Sequence, residues 1–127
     1  MIDFDDLKYN DIFGHEEGNV AISNIARVLK ENTRANDIVA RYGGDEFVIL
    51  MAFRLDDAKK VANRICKEVA GLQLPNSNSF QHMAVSVSIG VATITSKINS
   101  IEDLIKAADA ELYRAKDEGK SLSLIHI

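Results

Sequence analysis

Two adjacent carboxylates, Asp45 and Glu46, directly follow two glycines, Gly43 and Gly44, in a short polar break between two apolar runs. The runs predict two β-strands joined by a hairpin, with Gly43 and Gly44 as a two-residue turn, because glycine reaches the positive φ of such turns without steric cost. The turn would hold both carboxylates at the exposed end of a buried two-stranded ribbon. Hard oxygen ligands with room left for substrate phosphates are what Mg²⁺ or Mn²⁺ requires. The pattern therefore predicts a divalent metal site, with a merely charged hairpin edge as the alternative.

The composition is that of one ordinary globular domain. The chain has 127 residues, of which 46% are hydrophobic and 27% charged, and this length suits a single core. A formal net charge of −4 argues against nucleic acid as a partner, because phosphate binding usually shows as a basic excess. The single cysteine, Cys66, excludes an internal disulfide and fits a reducing cytoplasm. No apolar run reaches the length of a membrane span, so we expect a cytoplasmic domain without membrane contact of its own. Any membrane anchor of the parent protein would lie outside this sequence.

Hydrophobic periodicity places the motif within a regular order of elements. We expect, in chain order, a strand end at 1–5, a helix at 16–31, strands at 38–42 and 46–52, a helix at 57–71, a strand at 83–94 and a helix at 101–118. Helices packed on one antiparallel sheet in this order are typical of the α+β class and of the ferredoxin-like arrangement. The strand at 83–94 alternates, which predicts its valines and isoleucines on one face and Ser86, Ser88 and Gly90 on the other.

The five residues from Gly43 to Phe47 are the signature of the GGDEF domain family, the diguanylate cyclases, and the chain resembles that family from Ile2 to Lys120. The further matching segments are Asp3-Phe4-Asp5, Leu7-Lys8, Asn10-Asp11, Gly14-His15, Val87-Ser88-Ile89-Gly90-Val91, Ala108-Asp109-Ala110, Leu112-Tyr113 and Ala115-Lys116-Asp117-Glu118-Gly119-Lys120. The resemblance implies the palm-like antiparallel sheet of the nucleotidyl cyclases and a role in bacterial signal transduction.

The resemblance also implies a reaction, the condensation of two GTP molecules into cyclic di-GMP with release of two pyrophosphates. Each 3′-hydroxyl must attack the α-phosphate of the other GTP, and two divalent ions would activate the attacking oxygen and offset charge on the leaving group. By resemblance, Asp3, Glu46 and the main-chain carbonyl of Phe4 hold Mg²⁺ or Mn²⁺, and Asp45 is either a further ligand or helps to deprotonate the hydroxyl. Because one protomer binds one GTP, the family's catalytic unit is a two-fold homodimer.

Phosphate binding is implied for Lys8, Lys116 and Lys120. The family usually has arginine where Lys120 stands, so a two-bond clamp on phosphate is lost there. The chain is also one residue short, because only Tyr9 separates Lys8 from Asn10 where the family has two residues. A natural deletion and a sequencing error both explain the short loop, and a real deletion would disturb both contacts that the loop carries.

Guanine recognition is implied for Asn10 and Asn19. The family prefers aspartate at the second position, and asparagine, with one acceptor oxygen and no charge, favours weaker GTP binding. Arg34 and Asp37 lie at the family's spacing from Gly43 for an inhibitory product site. There the arginine would donate to guanine edges of cyclic di-GMP and the aspartate would accept from guanine nitrogens. An ordinary basic residue near a helix C-terminus is the alternative.

Three other functions compete with the cyclase. A receptor that binds cyclic di-GMP or GTP without turnover is favoured by Asn19 and by the short loop, and opposed by the intact carboxylate motif and Lys116. A protein-interaction module would be indifferent to substitution of Asp45 and Glu46. A polymerase palm shares the carboxylate chemistry but should carry a basic template channel, which the net charge of −4 does not suggest.

Both ends of the sequence differ from what the family leads us to expect. We read residues 1–121 as a GGDEF domain without its N-terminal helix and part of its first strand. Residues 122–127, Leu-Ser-Leu-Ile-His-Ile, resemble a translated sequencing adaptor, so we predict that they are not native protein sequence. A short apolar final strand is the alternative.

Overall fold

The computed structural model describes residues 1–5, 15–74, 85–120 and 123–125. The elements are β1 (Ile2–Phe4), α1 (His15–Glu31), β2 (Ile38–Arg41), β3 (Glu46–Leu50), α2 (Leu55–Ala70), β4 (Val87–Val91), α3 (Ile101–Asp117) and β5 (Ser123–Ile125). The predicted order from β1 to α3 is confirmed, with boundaries that differ by a few residues. Lys8 and Asn10, with the loop between them, lie outside the described residues. None of the helices in the described ranges is long and apolar enough to cross a membrane.

The strands form one sheet in the order β2-β3-β1-β4-β5. The first four strands pair antiparallel, which confirms the predicted antiparallel α+β fold, and β5 adds to the edge parallel to β4. The short strand β1 lies between β3 and β4, and its Asp3 is the register partner of Glu46 on one side and of Ser88 on the other. The sheet therefore brings an acidic residue of the first strand beside the acidic hairpin.

Helices cover both faces of the sheet. On one face, α1 and α2 pack on a core whose buried members are Ile2, Phe4, Ala21, Ile25, Val28, Leu29, Phe47, Val61, Ala62, Ile65, Cys66, Val69, Leu74, Val85, Val87 and Ile89. On the other face, α3 packs through Ala108 and Leu112 against Met1. Because side chains alternate along a strand, Asp3 and Asp5 share the α3 face with Met1, while Ile2 and Phe4 point into the larger core.

Helix α3 approaches β4 very closely at Gly90. A Cβ placed there would lie 2.0 Å from the carbonyl oxygen of Ala108 and 2.3 Å from the main-chain nitrogen of Leu112. Only glycine permits this contact between helix and strand backbones. The strand alternates as predicted, but Ser88 and Gly90 are as well buried as Val87 and Ile89 because a helix covers each face.

The hairpin between β2 and β3 differs from the predicted two-residue turn. Strand β2 ends at Arg41, and the Tyr42 main-chain nitrogen donates to the Glu46 carbonyl at 2.8 Å, so the link is longer than two residues. Among the described glycines only Gly119 has positive φ, so Gly43 and Gly44 adopt ordinary backbone angles. The predicted turn type is therefore wrong, because a longer link reverses the chain without left-handed residues.

The glycines of the hairpin instead make room for the Glu46 side chain and accept hydrogen bonds from the Arg41 side chain. A Cβ on Gly43 would lie 3.0 Å from the Glu46 Oε2 atom, so glycine leaves room for that carboxylate. The Arg41 Nε donates to the carbonyls of Gly43 and Gly44, at 3.3 and 3.0 Å. The ribbon is also less buried than predicted, because β2 is the edge strand of the sheet and three of its four residues are exposed.

Residues Ser123–Ile125 pair with β4 as strand β5. The backbone thus adopts the short final strand that was the alternative to a non-native tail. An apolar segment of any origin can add to an open sheet edge, so the adaptor origin of residues 122–127 stays a prediction.

Candidate active site

The carboxylates meet where β1 lies beside the hairpin. Asp3 in β1 is the register partner of Glu46 in β3, and the Phe4 main-chain nitrogen donates to the Asp45 carbonyl oxygen at 3.4 Å. These contacts bring together Asp3, Phe4, Asp45 and Glu46, the four residues for which metal binding was predicted. The grouping depends on pairing between strands more than forty positions apart in the sequence.

Helix α3 adds a cation to this group. The Lys116 Nζ lies 2.8 Å from the Asp3 Oδ2 and donates to the Phe4 carbonyl oxygen at 3.0 Å. It also lies 3.5 Å from the Asp5 Oδ1. The Lys116 side chain is 27% exposed, so the ammonium sits at the edge of the solvent and can contact a bound ligand.

Asp5 is a member of the site that the sequence reasoning assigned no role. The residue is 3% exposed, and its carboxylate accepts hydrogen bonds from Ser86 Oγ and Ser88 Oγ, each at 2.7 Å. Burial of a carboxylate is tolerated because these hydroxyls and Lys116 compensate its charge. The sequence could have placed Asp5 in the site, since Asp3 and Asp5 are two apart on a strand and must share a face.

Two carboxylate oxygens of the site are buried and have no hydrogen-bond partner among the described residues. They are the Asp3 Oδ1 and the Asp45 Oδ2. Buried polar atoms nearly always have a partner, and a buried charged oxygen without a donor is costly. A divalent cation coordinated by these oxygens would remove that cost, so the residues present fit a metal ion.

The oxygen ligands that the site offers suit a hard cation that takes few ligands from the protein. In the described ranges no group of three or more His, Cys, Asp or Glu side chains is arranged to hold a metal ion. The protein's share would therefore be a small number of carboxylates and one main-chain carbonyl. Mg²⁺ is commonly bound in this way, because it keeps several waters and takes further oxygens from substrate phosphates.

Burial and neighbouring charges shift the pKa values of three groups in the site. Burial raises the pKa of the Asp3 carboxyl, against the opposing effect of the Lys116 ammonium. Burial also raises the pKa of Glu46, as do the negative charges of Asp3, Asp109 and Asp45. Burial alone would lower the pKa of Lys116, but its hydrogen bond to Asp3 and the charges of Asp3 and Asp5 raise it. The excess of negative charge attracts a further cation.

Two further predicted substrate residues, Asn19 and Lys120, lie on the surface. Asn19 is exposed on α1, and Lys120 is exposed beyond the end of α3. Lys120 has a φ of 64°, and its main-chain nitrogen donates to the Ala115 carbonyl at 3.0 Å. Left-handed backbone is uncommon outside glycine, so the chain leaves α3 along a sharply defined path after Gly119.

Arg34 and Asp37 form a compact turn between α1 and β2. The Asp37 Oδ2 accepts from the Arg34 main-chain nitrogen at 2.7 Å, and the Asp37 nitrogen donates to the Arg34 carbonyl at 3.0 Å. The guanidinium of Arg34 lies over the Phe53 ring, 4.1 Å from its centroid. A stacked guanidinium keeps its in-plane N–H donors available for a ligand. The role of Phe53 was not predicted from the sequence.

The fold and the site define an α+β domain with helices on both faces of its sheet and with carboxylates and a lysine at the end of its central strands. The sequence profile described as "Diguanylate cyclase, GGDEF domain" matches residues 1–122. The chain therefore belongs to the GGDEF domain family, and the resemblance noted in the sequence is confirmed.

Individual relatives agree with this assignment. The chain is 37% identical over 123 residues to the response regulator PleD of Caulobacter vibrioides, covering 95% of this chain and 27% of that protein. It is 38% identical over 123 residues to the diguanylate cyclase DgcM of Escherichia coli, covering 95% of this chain and 28% of that protein. Its fold matches the GGDEF domain of DgcB from Caulobacter crescentus, solved in complex with c-di-GMP, with a TM-score of 0.90 and 28% identity over 98% of this chain and 74% of that one. The chain thus spans about a quarter of the length of these curated relatives.

Proposed function

We propose that this chain is the catalytic domain of a diguanylate cyclase, which condenses two GTP molecules into cyclic di-GMP and releases two pyrophosphates in the bacterial cytoplasm. The observation that carries the proposal is the pair of buried carboxylate oxygens, Asp3 Oδ1 and Asp45 Oδ2, that find no hydrogen-bond donor within residues 1–5, 15–74, 85–120 and 123–125. They lie in a group that also holds Lys116, whose ammonium contacts the other oxygen of Asp3. Carboxylates that each keep one oxygen available, beside a lysine, suit a cation and a phosphate, which phosphoryl transfer requires.

Asp3, Glu46 and the Phe4 carbonyl would hold Mg²⁺ or Mn²⁺, and Asp45 would be either a further ligand or the group that accepts the hydroxyl proton. The bound ion supplies Lewis-acid stabilisation of the charge that develops on the phosphate oxygens. The main-chain bond from Phe4 to Asp45 supports this ligand set, because it fixes β1 against the hairpin.

The protein's own groups bind the nucleotide and accept a proton. In the proposed reaction the 3′-oxygen of one GTP bonds to the α-phosphorus of the other, the bond to pyrophosphate breaks, and Asp45 accepts the hydroxyl proton. Lys116, together with Lys8 and Lys120, would hold the phosphates. A second protomer would present the other GTP, which makes the homodimer the catalytic unit.

Guanine and product binding complete the proposal. Asn10 and Asn19 would contact the guanine base of the substrate. Arg34 and Asp37 would bind cyclic di-GMP and inhibit turnover, which is supported by the stacking of Arg34 on Phe53 and by the c-di-GMP in the DgcB structure.

A receptor without turnover is the second candidate, and Asn19 is the observation that favours it. A site that loses one hydrogen-bond partner of the base discriminates its ligand much less well. Such a receptor would bind cyclic di-GMP at Arg34 and would not convert GTP.

GTP turnover with Mg²⁺, measured as cyclic di-GMP by mass spectrometry, tests the proposal. We would compare the unsubstituted chain, a version with one isoleucine inserted after Tyr9, and Glu46→Gln. The matched control is Glu102→Gln, the same substitution at an exposed position in the first turn of α3. We expect product from the unsubstituted chain and from Glu102→Gln, and a loss of at least a hundredfold in Glu46→Gln.

Each other outcome has a distinct meaning. Product from the insertion version alone would assign the defect to the short Lys8–Asn10 loop. Folded proteins that all bind cyclic di-GMP and make none would establish the receptor. Equal turnover by Glu46→Gln and the unsubstituted chain would refute the proposed role of the hairpin carboxylates.

A further inference from the structure

The contacts of the Lys116 ammonium overlap with the proposed metal site, because the ammonium touches the Phe4 carbonyl oxygen, which is assigned to the metal, and the second oxygen of the Asp3 carboxylate. It lies 2.8 Å from the Asp3 Oδ2 and 3.0 Å from the Phe4 carbonyl oxygen. These oxygens belong to the same residues that would ligate a divalent ion. A divalent ion on the Asp3 Oδ1 and the Phe4 carbonyl oxygen would lie beside the ammonium on the Oδ2 of the same carboxylate. Two cations this close in a partly buried site repel each other strongly.

We propose that Lys116 acts as the resident cation of this ligand set in the metal-free domain, and that it leaves the set for a nucleotide phosphate when the metal binds. The lysine then couples the binding of metal to the binding of GTP. This inference rests on the proposed function, because it takes the metal site and the phosphate from it.

The surroundings of Lys116 allow the ammonium to leave. Asp5 is the most deeply buried of its contacts, with a side chain that is 1% exposed. When the ammonium departs, the Asp5 carboxylate keeps the hydroxyl donors of Ser86 and Ser88, each at 2.7 Å. The bound metal then compensates the charge of the Asp3 carboxylate in place of the ammonium, so no buried carboxylate is left without compensation.

The same geometry makes the metal bind more tightly when the nucleotide is present. Without nucleotide, a metal ion must expel the ammonium from Asp3 into solvent and gives it no new partner, which weakens metal binding. With nucleotide, the phosphate accepts the ammonium on its flexible four-carbon stem. Linkage then requires that the metal strengthen nucleotide binding by the same factor as the nucleotide strengthens metal binding.

Mn²⁺ binding measured without nucleotide, from the electron paramagnetic resonance signal of the free ion, tests the inference independently of turnover. Lys116→Met removes the competing cation, and Lys116→Gln removes the charge while keeping an amide donor for the Phe4 carbonyl. We expect both variants to bind Mn²⁺ about tenfold more tightly than the unsubstituted chain. Lys106→Met, which removes the same charge from an exposed position of α3, is the control and should change the Kd less than about twofold.

A second arm measures the coupling itself. A GTP analogue that cannot transfer its α-phosphate should tighten Mn²⁺ binding in all proteins, because phosphates coordinate the ion. The factor should be about tenfold smaller in the Lys116 variants, since they have no ammonium to relocate.

The outcomes separate this inference from the proposed function. Unchanged or weaker Mn²⁺ binding by folded Lys116 variants overturns the inference and leaves the metal site standing. Absence of Mn²⁺ binding in every protein removes the metal site and the inference together. If both variants unfold, nitrogen NMR of ¹⁵N-lysine in the unsubstituted chain decides: a Lys116 ammonium signal that is unchanged on adding Mg²⁺ and the analogue overturns the inference.

Discussion

Replacing Gly90 by alanine is expected to lift α3 from the sheet and to disturb the site that this helix carries. A Cβ at Gly90 would lie 2.0 Å from the Ala108 carbonyl oxygen, 2.3 Å from the Leu112 nitrogen and 2.9 Å from the Leu112 Cα. All three are main-chain atoms, so no side-chain rotation relieves the contact. Because ordinary Cβ contacts begin at 3.4 Å and the shortest here is 2.0 Å, the helix must retreat by about 1.4 Å.

This retreat has a cost in stability and a cost in rate. Overpacking of a buried contact that only backbone movement can relieve costs about 3 kcal/mol, which lowers the Tm by about 10 °C in a domain of this size. Lys116 moves with the helix, away from the position at which it now lies 2.8 Å from the Asp3 Oδ2 and from which it would reach the nucleotide phosphate. A misplacement of about 1 Å in an active site lowers the rate about a hundredfold, so we expect cyclic di-GMP production to fall by that factor.

Urea denaturation and cyclic di-GMP production, measured on the same preparations, check both effects. The control is Gly71→Ala, whose Cβ would meet the Lys67 carbonyl oxygen at 3.5 Å, an ordinary contact. We expect this variant to change stability by less than about 0.5 kcal/mol. If Gly90→Ala were as stable and as active as Gly71→Ala, the close packing of α3 on β4 would not be what positions Lys116.

Three further substitutions probe separate parts of the molecule. Ser88→Ala removes one hydroxyl donor from buried Asp5 and should lower the free energy of unfolding by about 1–3 kcal/mol in urea denaturation; a loss below about 0.5 kcal/mol would refute the role of that hydroxyl. Glu46→Gln should make the metal-free domain more stable than the unsubstituted chain, and this difference in the free energy of unfolding should grow as the pH rises from 4.5 to 8. Burial and neighbouring carboxylates raise the pKa of Glu46, so its ionised form costs stability above that pKa. Denaturation in EDTA that shows a pH-independent difference would contradict this. Arg34→Ala should weaken cyclic di-GMP binding, measured by calorimetry, by about tenfold to a hundredfold, whereas Arg27→Ala on the exposed side of α1 should not.

Sequence reasoning could establish the order of the elements, because each has its own local periodicity. The 3.6-residue repeats of α1, α2 and α3 predict helices close to their observed limits. The close spacing of Asp45 and Glu46 marked the hairpin as a site, and the family resemblance added Asp3 and Lys116, which the structure brings together.

The geometry of the site could not be predicted in the same way. The hairpin turn was wrong because loop length follows from the register between β2 and β3, which local sequence does not specify. The role of Asp5 depends on Ser86 and Ser88, which lie more than eighty positions away. The contact of Lys116 with Phe4 spans 112 positions, and no spacing rule relates such residues.

The bond from Lys116 to the Phe4 carbonyl joins residues 112 positions apart and closes almost the whole chain into a loop. Closing a loop of that length costs about 4 kcal/mol of chain entropy before any contact compensates it. No folded part of the domain can therefore hold the site by itself, since β1 and α3 come from opposite ends of the chain. Catalytic competence then becomes a measure of complete folding, and loss of activity in urea should follow global unfolding instead of preceding it.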